Sequence, residues 1–184
     1  MKAYLFVTPA LDWDDNEIPI HLSDYDITLT SIIHQDTENH EYIIEVEYED
    51  EEKFNQFMES HINLVRYATD KEVIDCFRDE KMHQFDEYHR EYIKRHYPPE
   101  RQISFLSFVN LYSNVPEIVE KVNQVKYYIF DIIMPYYYQI CEKIKTCDNL
   151  EEWNNITWDY NQFEEYNPHL RVQDLVEIVQ NYQT

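Results

Sequence analysis

The chain has 184 residues, 37 acidic against 15 basic side chains, and no glycine. At the usual frequency of about 7 %, roughly a dozen glycines would be expected. Their absence excludes Gly-rich phosphate loops, dinucleotide fingerprints and the nucleophile elbow. A net charge of −22 opposes binding to nucleic acid or anionic membranes, since both are polyanions. We therefore predict a protein that is not an enzyme and that acts by binding other proteins.

The first part of the chain predicts a small α+β unit, residues 1–68. Apolar and acidic side chains alternate through Glu41–Tyr48, which is the period of a half-buried strand. Further short runs of apolar, β-branched and aromatic residues predict strands at 3–7, 27–33 and 62–67. The helical spacing of Phe54 and Phe57 predicts a helix before the last strand. The expected order is β–β–β–α–β, with a hairpin turn at Gln35–Asn39.

From Thr69 onward the period becomes helical, which predicts a helical bundle over residues 69–184. Thr69 and Glu72 have the spacing of a capping box, and Pro98-Pro99 ends the first helix. Four more helices are predicted: 103–112, Pro116 to Ile140 with a kink at Pro135, one from Asp148, and one from Asn167-Pro168. The predicted fold class is α+β: a small antiparallel or mixed sheet with one helix at the N-terminus, followed by an all-helical bundle of about five helices.

Two carboxylate-x-x-His pairs lie on one predicted helix: Glu80, His83, Asp86 and His89. A di-iron bundle needs such a motif from a second helix, and the sequence offers none. The neighbouring Arg and Lys residues favour a surface charge network instead. The acidic stretch 12–23 lacks the glycine and the final Glu of a calcium loop, and three cysteines show no metal spacing. We predict no metal, no cofactor and no catalytic residue.

Aromatic residues are the predicted partner-binding residues. Tyr136, Tyr137 and Tyr138 are consecutive, so they cannot all face one core. Tyrosine is favoured at protein interfaces, and the predicted binding face is completed by Trp153 and Trp158. The alternative, that the tyrosines flank the Pro135 kink inside a bundle, stays open.

An acidic run holds six acids in eight residues: Glu45, Glu47, Glu49, Asp50, Glu51 and Glu52. Alternate strand residues repeat at about 6.7 Å, close to two steps of a DNA strand of about 3.4 Å each. This acidic surface is compatible with a DNA mimic. The favoured interpretation is an exposed strand followed by a helix N-terminus, where the macrodipole favours acids, because exposed strands often carry charge simply to block aggregation.

The C-terminal half resembles small helical domains found in tail and other virion proteins of bacteriophages. The resemblance covers about residues 85–184 and rests on these segments: 97–102 (YPPERQ), the long helix with Tyr136–Tyr138, 150–153 (LEEW), 156–159 (ITWD), 167–169 (NPH) and the helix 172–179. It implies a structural or assembly role within a phage particle.

The predicted function is therefore a non-enzymatic structural or assembly protein, a tail or virion component. Its expected partners are other virion proteins, itself, or a basic protein surface, without direct nucleic-acid contact. The alternative is an acidic DNA-mimic inhibitor of a nucleic-acid-binding enzyme. The apolar stretch 127–140 is shorter than the roughly 20 residues of a membrane span, and the first residues show no secretory signal. The expected location is the virion or the host cytoplasm.

Overall fold

The computed structural model describes residues 1–8, 22–36, 38–39 and 41–183. A four-stranded sheet is formed by β1 (Lys2–Val7), β2 (Ile27–Asp36), β3 (Glu41–Tyr48) and β4 (Val65–Tyr67). The strand order is β2-β3-β1-β4, and every neighbouring pair is antiparallel. Helix α1 (Glu51–Ser60) connects β3 to β4.

One face of the sheet and one side of α1 share a buried cluster. Burial alternates along β1, as the strand period requires. Leu5 lies opposite Ile44 in the register, and both are fully buried. Phe54 and Phe57, three residues apart on α1, belong to the same cluster. The helical spacing that predicted α1 is therefore the spacing that packs it.

The helical region that follows has seven helices in the described part of the chain. Six are α-helices and one is a 3-10 helix: α2 (Asp70–His96), α3 (Pro99–Leu111), α4 (Pro116–Tyr127), α5 (Met134–Thr146), α6 (Leu150–Asn154), the 3-10 helix (Tyr160–Tyr166) and α7 (Val172–Gln183). A π-helical segment, Tyr128–Ile133, joins α4 to α5.

The predicted fold class is wrong. The sheet comes first and is antiparallel, with no mixed pairing among the described strands, and seven helices follow in the described part of the chain instead of about five. The 3-10 helix is too short to show a period in the sequence. The last helix begins at Val172 and not at Asn167-Pro168, because His169 has a left-handed backbone with a φ of 48°.

Local signals place several helix ends correctly. The Thr69 amide donates to Glu72 Oε2 at 2.8 Å, and the Glu72 amide donates to Thr69 Oγ1 at 3.3 Å, so the predicted capping box is confirmed. Helix α2 ends at His96, just before Pro98, and Pro99 and Pro116 each occupy a first-turn position of the next helix.

The π-helical segment ends two residues before Pro135, the position of the predicted kink. A proline at position 135 has no amide hydrogen and crowds the carbonyl four residues before it. The chain responds with a wider turn, in which the Met134 amide bonds the Ile129 carbonyl five residues back.

The wider turn also changes which residues are buried. Steps of three and four residues from Ile118, Val122 and Val125 predict that Ile129 and Ile132 continue the buried side of this helix, but both are only half-buried. Tyr128 and Ile133 are fully buried instead, five residues apart. One extra residue between buried positions is what a π turn adds to a helix.

The chain divides into two compact units. Unit 1 comprises Met1–Asp79 and Cys147–Trp153, and unit 2 comprises Glu80–Thr146 and Asn154–Thr184. The division into a small α+β unit, 1–68, and a helical bundle, 69–184, stays a prediction. Within the described ranges, no helix is both long and apolar enough to cross a membrane.

Candidate functional site

The three consecutive tyrosines of α5 have different surroundings. The Tyr137 ring stacks on Phe85 at 5.3 Å between centroids, and its hydroxyl donates to Asp86 at 2.7 Å. Tyr136 packs edge-on against Phe163. Tyr138 is 62 % exposed. Of the three, Tyr138 therefore offers the most surface to a partner.

The two tryptophans of the predicted binding face lie in different units. Trp158 packs against Phe85 in unit 2, with ring centroids 5.1 Å apart, so it joins the cluster that holds Tyr136 and Tyr137. Trp153 lies in unit 1, is 5 % exposed, and has the Arg78 guanidinium 5.8 Å from its ring centre. The structure brings Tyr136, Tyr137 and Trp158 together inside unit 2. A binding role for the five aromatic residues stays a prediction.

Buried hydroxyl groups connect this aromatic cluster. His89 Nδ1 and the Tyr160 hydroxyl share a hydrogen bond of 2.6 Å, and the Tyr92 and Tyr128 hydroxyls share one of 2.5 Å. Burial raises the pKa of Tyr160 and of Tyr128 and lowers the pKa of His89. These groups are therefore uncharged near neutral pH, and the cluster acts as a polar core within unit 2.

The two carboxylate-x-x-His pairs on α2 make different contacts. Asp86 and His89 face this cluster, whereas His83 lies 3.5 Å from Glu87 at the surface. In the described ranges, no group of three His, Cys, Asp or Glu side chains could hold a metal ion. Residues 9–21 lie outside the described part of the chain, and with them most of the calcium-like stretch 12–23.

Glu45, the first acid of the predicted acidic surface, is held in a polar network. It accepts hydrogen bonds from Lys2 at 3.0 Å and from the Ser31 hydroxyl at 3.3 Å, and its side chain is 15 % exposed. Glu47 is more exposed and lies 3.6 Å from the same lysine. Lys2 therefore neutralises part of the acidic array on β3.

The remaining acids surround the start of α1. Asp50 is the N-cap residue, accepting from the amides of Glu52 at 2.9 Å and Lys53 at 3.1 Å. Glu49 is exposed, as are Glu51 and Glu52 in the first helical turn. This placement gives Asp50 a structural role, and a partner-binding role for the other acids stays a prediction.

A surface that the sequence analysis missed lies on α3. Ile103, Leu106 and Leu111 are 64 %, 51 % and 74 % exposed. At 100° per residue they share one outer arc with Ser107 and Asn110, which are also exposed. We call these five residues the α3 face. The opposite side of the helix packs through Phe105, which is buried.

The α3 face has a sequence signal. Residues 102–116 form a run of 15 without a charged side chain, between Arg101 and Glu117. No other run of this length lacks charge in the chain, whose net charge is −22. A search for helical periodicity does not detect this face, because α3 has apolar residues on both sides.

No family model, curated protein or solved structure matches the chain. The resemblance of residues 85–184 to virion domains stays a prediction.

Proposed function

We propose that the chain is a non-enzymatic assembly protein that binds other proteins, beginning with a second copy of itself at the α3 face. The observation that supports this proposal is the combination of exposure and neutrality on α3. Three large aliphatic side chains are exposed there, in the longest uncharged run of the sequence. Exposed apolar patches of this kind mark protein interaction sites.

The partner follows from the charge. Copies of a chain with a net charge of −22 repel each other over most of their surface. They approach at lowest electrostatic cost where both surfaces are neutral, and a two-fold axis places the same patch on both sides of the contact. A basic partner would gain nothing from this face, since it offers no carboxylate beyond Glu100 at its N-terminal end.

An antiparallel pairing of two α3 helices suits the residues. With the axis near Ser107, Ile103 of one copy lies opposite Leu111 of the other. The small Ser107 side chain bonds its own helix, donating to the Ile103 carbonyl at 2.9 Å, so it needs no partner across the contact. The pairing therefore buries aliphatic groups without leaving that hydroxyl unsatisfied.

Light scattering and sedimentation over a range of protein concentrations test the proposal. We expect a species of twice the 22.7 kDa chain mass that persists at high salt, since salt screens the repulsion and leaves apolar contacts intact. Leu106→Glu should weaken the association by about 100-fold or more, because a charge is then buried in the contact. A monomer at all concentrations, or unchanged association of this variant, would contradict the proposal.

Ile62→Glu provides the matched control. Ile62 is 74 % exposed in unit 1, so the substitution makes the same change of charge at an exposed aliphatic residue away from α3. We expect it to leave the dimer nearly unchanged. Equal loss in both variants would show that net charge, rather than the α3 face, controls association.

That the assembly is a phage tail or virion is part of the same proposal and is supported by the resemblance of residues 85–184. The alternative proposal, a DNA-mimic inhibitor, is supported by the exposed acids Glu47, Glu49, Glu51 and Glu52. It predicts a salt-indifferent monomer that captures a basic nucleic-acid enzyme at low salt and releases it at high salt.

A further inference from the structure

Unit 2 contains an open groove of about 960 Å³ between α4 and the end of the 3-10 helix. Its apolar lining comes from both sides: Pro116, Val119 and Tyr127 on one, Tyr166 and Pro168 on the other. Both tyrosine rings are more than half exposed, unlike the neighbouring Tyr128 and Tyr160, which are fully buried. The groove therefore presents aromatic faces that the core of unit 2 does not use.

Two carboxylates flank these rings. Glu120 and Glu165 line the groove, and the described lining residues include no Lys, Arg or His. The neighbouring Glu165 carboxylate raises the pKa of Tyr166, and Tyr127 is close enough to contribute in the same direction. The groove thus combines an apolar floor with negative charge at its edge, and a ligand that complements it is apolar and positively charged.

Amide side chains supply the remaining polarity. Asn123 and Gln124 line the groove beside Val119 and Tyr127. Their N–H groups can donate to backbone carbonyls, which a polyproline II segment leaves unpaired along its whole length. A polyproline II segment repeats every third residue, and grooves lined by aromatic rings bind it at low entropic cost because it is already extended.

We propose that this groove binds a proline-rich segment of a partner protein that carries a flanking arginine or lysine. The prolines lie against Tyr127 and Tyr166, and the basic side chain pairs with Glu120 or Glu165. This proposal is independent of self-association at the α3 face. If the chain is monomeric at all concentrations, the proposal for the groove is unaffected.

Fluorescence anisotropy with a labelled peptide, RPALPALPAL, tests the site. The peptide places a proline at every third residue after one arginine. We expect saturable binding in the micromolar range, and binding weakened about tenfold or more by Tyr166→Ala, since aromatic anchors dominate such contacts. Tyr182→Ala, which removes an exposed tyrosine outside the groove, is the matched control and should bind as the wild type does.

Two further measurements separate recognition of the polyproline II form from pairing with the basic side chain. Replacing the three prolines by alanine should abolish binding if the polyproline II form is recognised. Glu120→Lys, at an exposed position, should weaken binding of the arginine peptide and leave binding of a peptide with alanine in place of arginine unchanged.

Several results would overturn the proposal: no binding at millimolar peptide, equal binding of the alanine peptide, or equal loss in Tyr166→Ala and Tyr182→Ala. Tyr166→Phe keeps the ring and should retain most of the affinity. If Tyr166→Ala does not fold, the comparison of Tyr166→Phe and Glu120→Lys with wild type decides the question. Unchanged affinity in Glu120→Lys would exclude the charge contribution.

Discussion

Glu72 makes several contacts at once near the protein surface. The Arg66 guanidinium donates to both of its carboxylate oxygens, at 2.7 and 2.8 Å, and the Thr69 amide and hydroxyl donate to one of them. These hydrogen bonds, those from Arg66 first, lower the pKa of Glu72 to about 2. One side chain therefore links β4 to the start of α2.

We predict that Glu72→Gln lowers the free energy of unfolding at pH 7 by about 1–2 kcal/mol, the usual range for a lost cap and charge-assisted hydrogen bond. The folded pKa lies below the unfolded value of about 4.3. The contribution is thus complete above pH 4.3 and is lost as the pH falls toward 2. Urea unfolding at pH 7 and pH 3 measures this, with Glu59→Gln as the control. A difference that stays constant at pH 3 would contradict it.

Sequence spacing predicts only the local part of this arrangement. Thr69 and Glu72 are three residues apart, so a capping box follows from the chain itself. Arg66 lies on β4, and its direction depends on the pairing of β4 with β1, which no local pattern specifies. The same limit applies to Tyr137, whose partner Asp86 is 51 residues away.

Residues of the acidic run stabilise the start of helix α1. Asp50 satisfies two amides that the first turn leaves unpaired, and Glu51 and Glu52 follow where the helix dipole favours negative charge. The acidic composition that is compatible with a DNA mimic therefore also specifies where α1 begins.

We predict that Asp50→Ala lowers the free energy of unfolding by about 1 kcal/mol, whereas Asp50→Asn, which keeps an acceptor, costs less. Glu49→Ala removes a neighbouring exposed acid and should be nearly neutral. Urea denaturation of the three variants tests the assignment. If Asp50→Ala and Glu49→Ala were equally stable, the capping role would be refuted.

Among the helices and strands, the sequence predicts those whose apolar residues repeat with a long or regular period. The strand Glu41–Tyr48 and the hairpin it forms with β2 are confirmed, as is α1. The 3-10 helix and the five-residue burial step in the π-helical segment were missed, because a search for steps of three and four cannot detect them. The 3-10 helix is specified by an Asp159 cap, whose side chain accepts from the Asn161 amide at 2.8 Å.

The chain has no glycine, so in its described part residues with side chains take the left-handed backbone positions. Asp26 and His169 have φ values of 57° and 48°, and aspartate and histidine are among the residues that tolerate this region best. A chain without glycine has fewer unfolded conformations to lose on folding. The composition that excludes phosphate loops also lowers the entropic cost of the fold.

Unit 2 keeps several of the 17 tyrosines from ionising. The pKa is raised in Tyr97, Tyr128 and Tyr160, chiefly by burial. Since the neutral form is favoured in the folded state, this contribution to stability is complete below the unfolded pKa of about 10. It is lost as the pH rises from there toward the folded pKa.

We therefore predict a tyrosinate absorbance titration in two stages. Exposed tyrosines ionise while the helical circular dichroism signal is intact, and the buried group ionises only as that signal disappears. Tyr160→Phe should reduce the second stage and leave the first unchanged. Complete ionisation with an unaltered circular dichroism spectrum would contradict the prediction.

The two proposed binding surfaces differ in how far the sequence indicates them. The α3 face lies within one continuous uncharged run, so a plot of charge along the chain would have found it. The groove requires Tyr127 and Tyr166, which are distant in sequence and come together only through the packing of unit 2. No spacing rule connects such positions before the fold is known.

Helix α4, the π-helical segment and α5 form one continuous helical run. The π-helical segment contains one residue more than an α-helical turn needs. An α-helix that loses a residue rotates everything after it by about 100°, which would turn the buried side of α5 away from its contacts. Within Tyr128–Ile133 a deletion would instead convert the five-residue step into a four-residue step and leave Ile140 and Ile144 on their buried side. We therefore expect the loss of one residue to be better tolerated at that point than elsewhere in this helix, and relatives of this chain that lack one residue between α4 and α5 would keep the same packing.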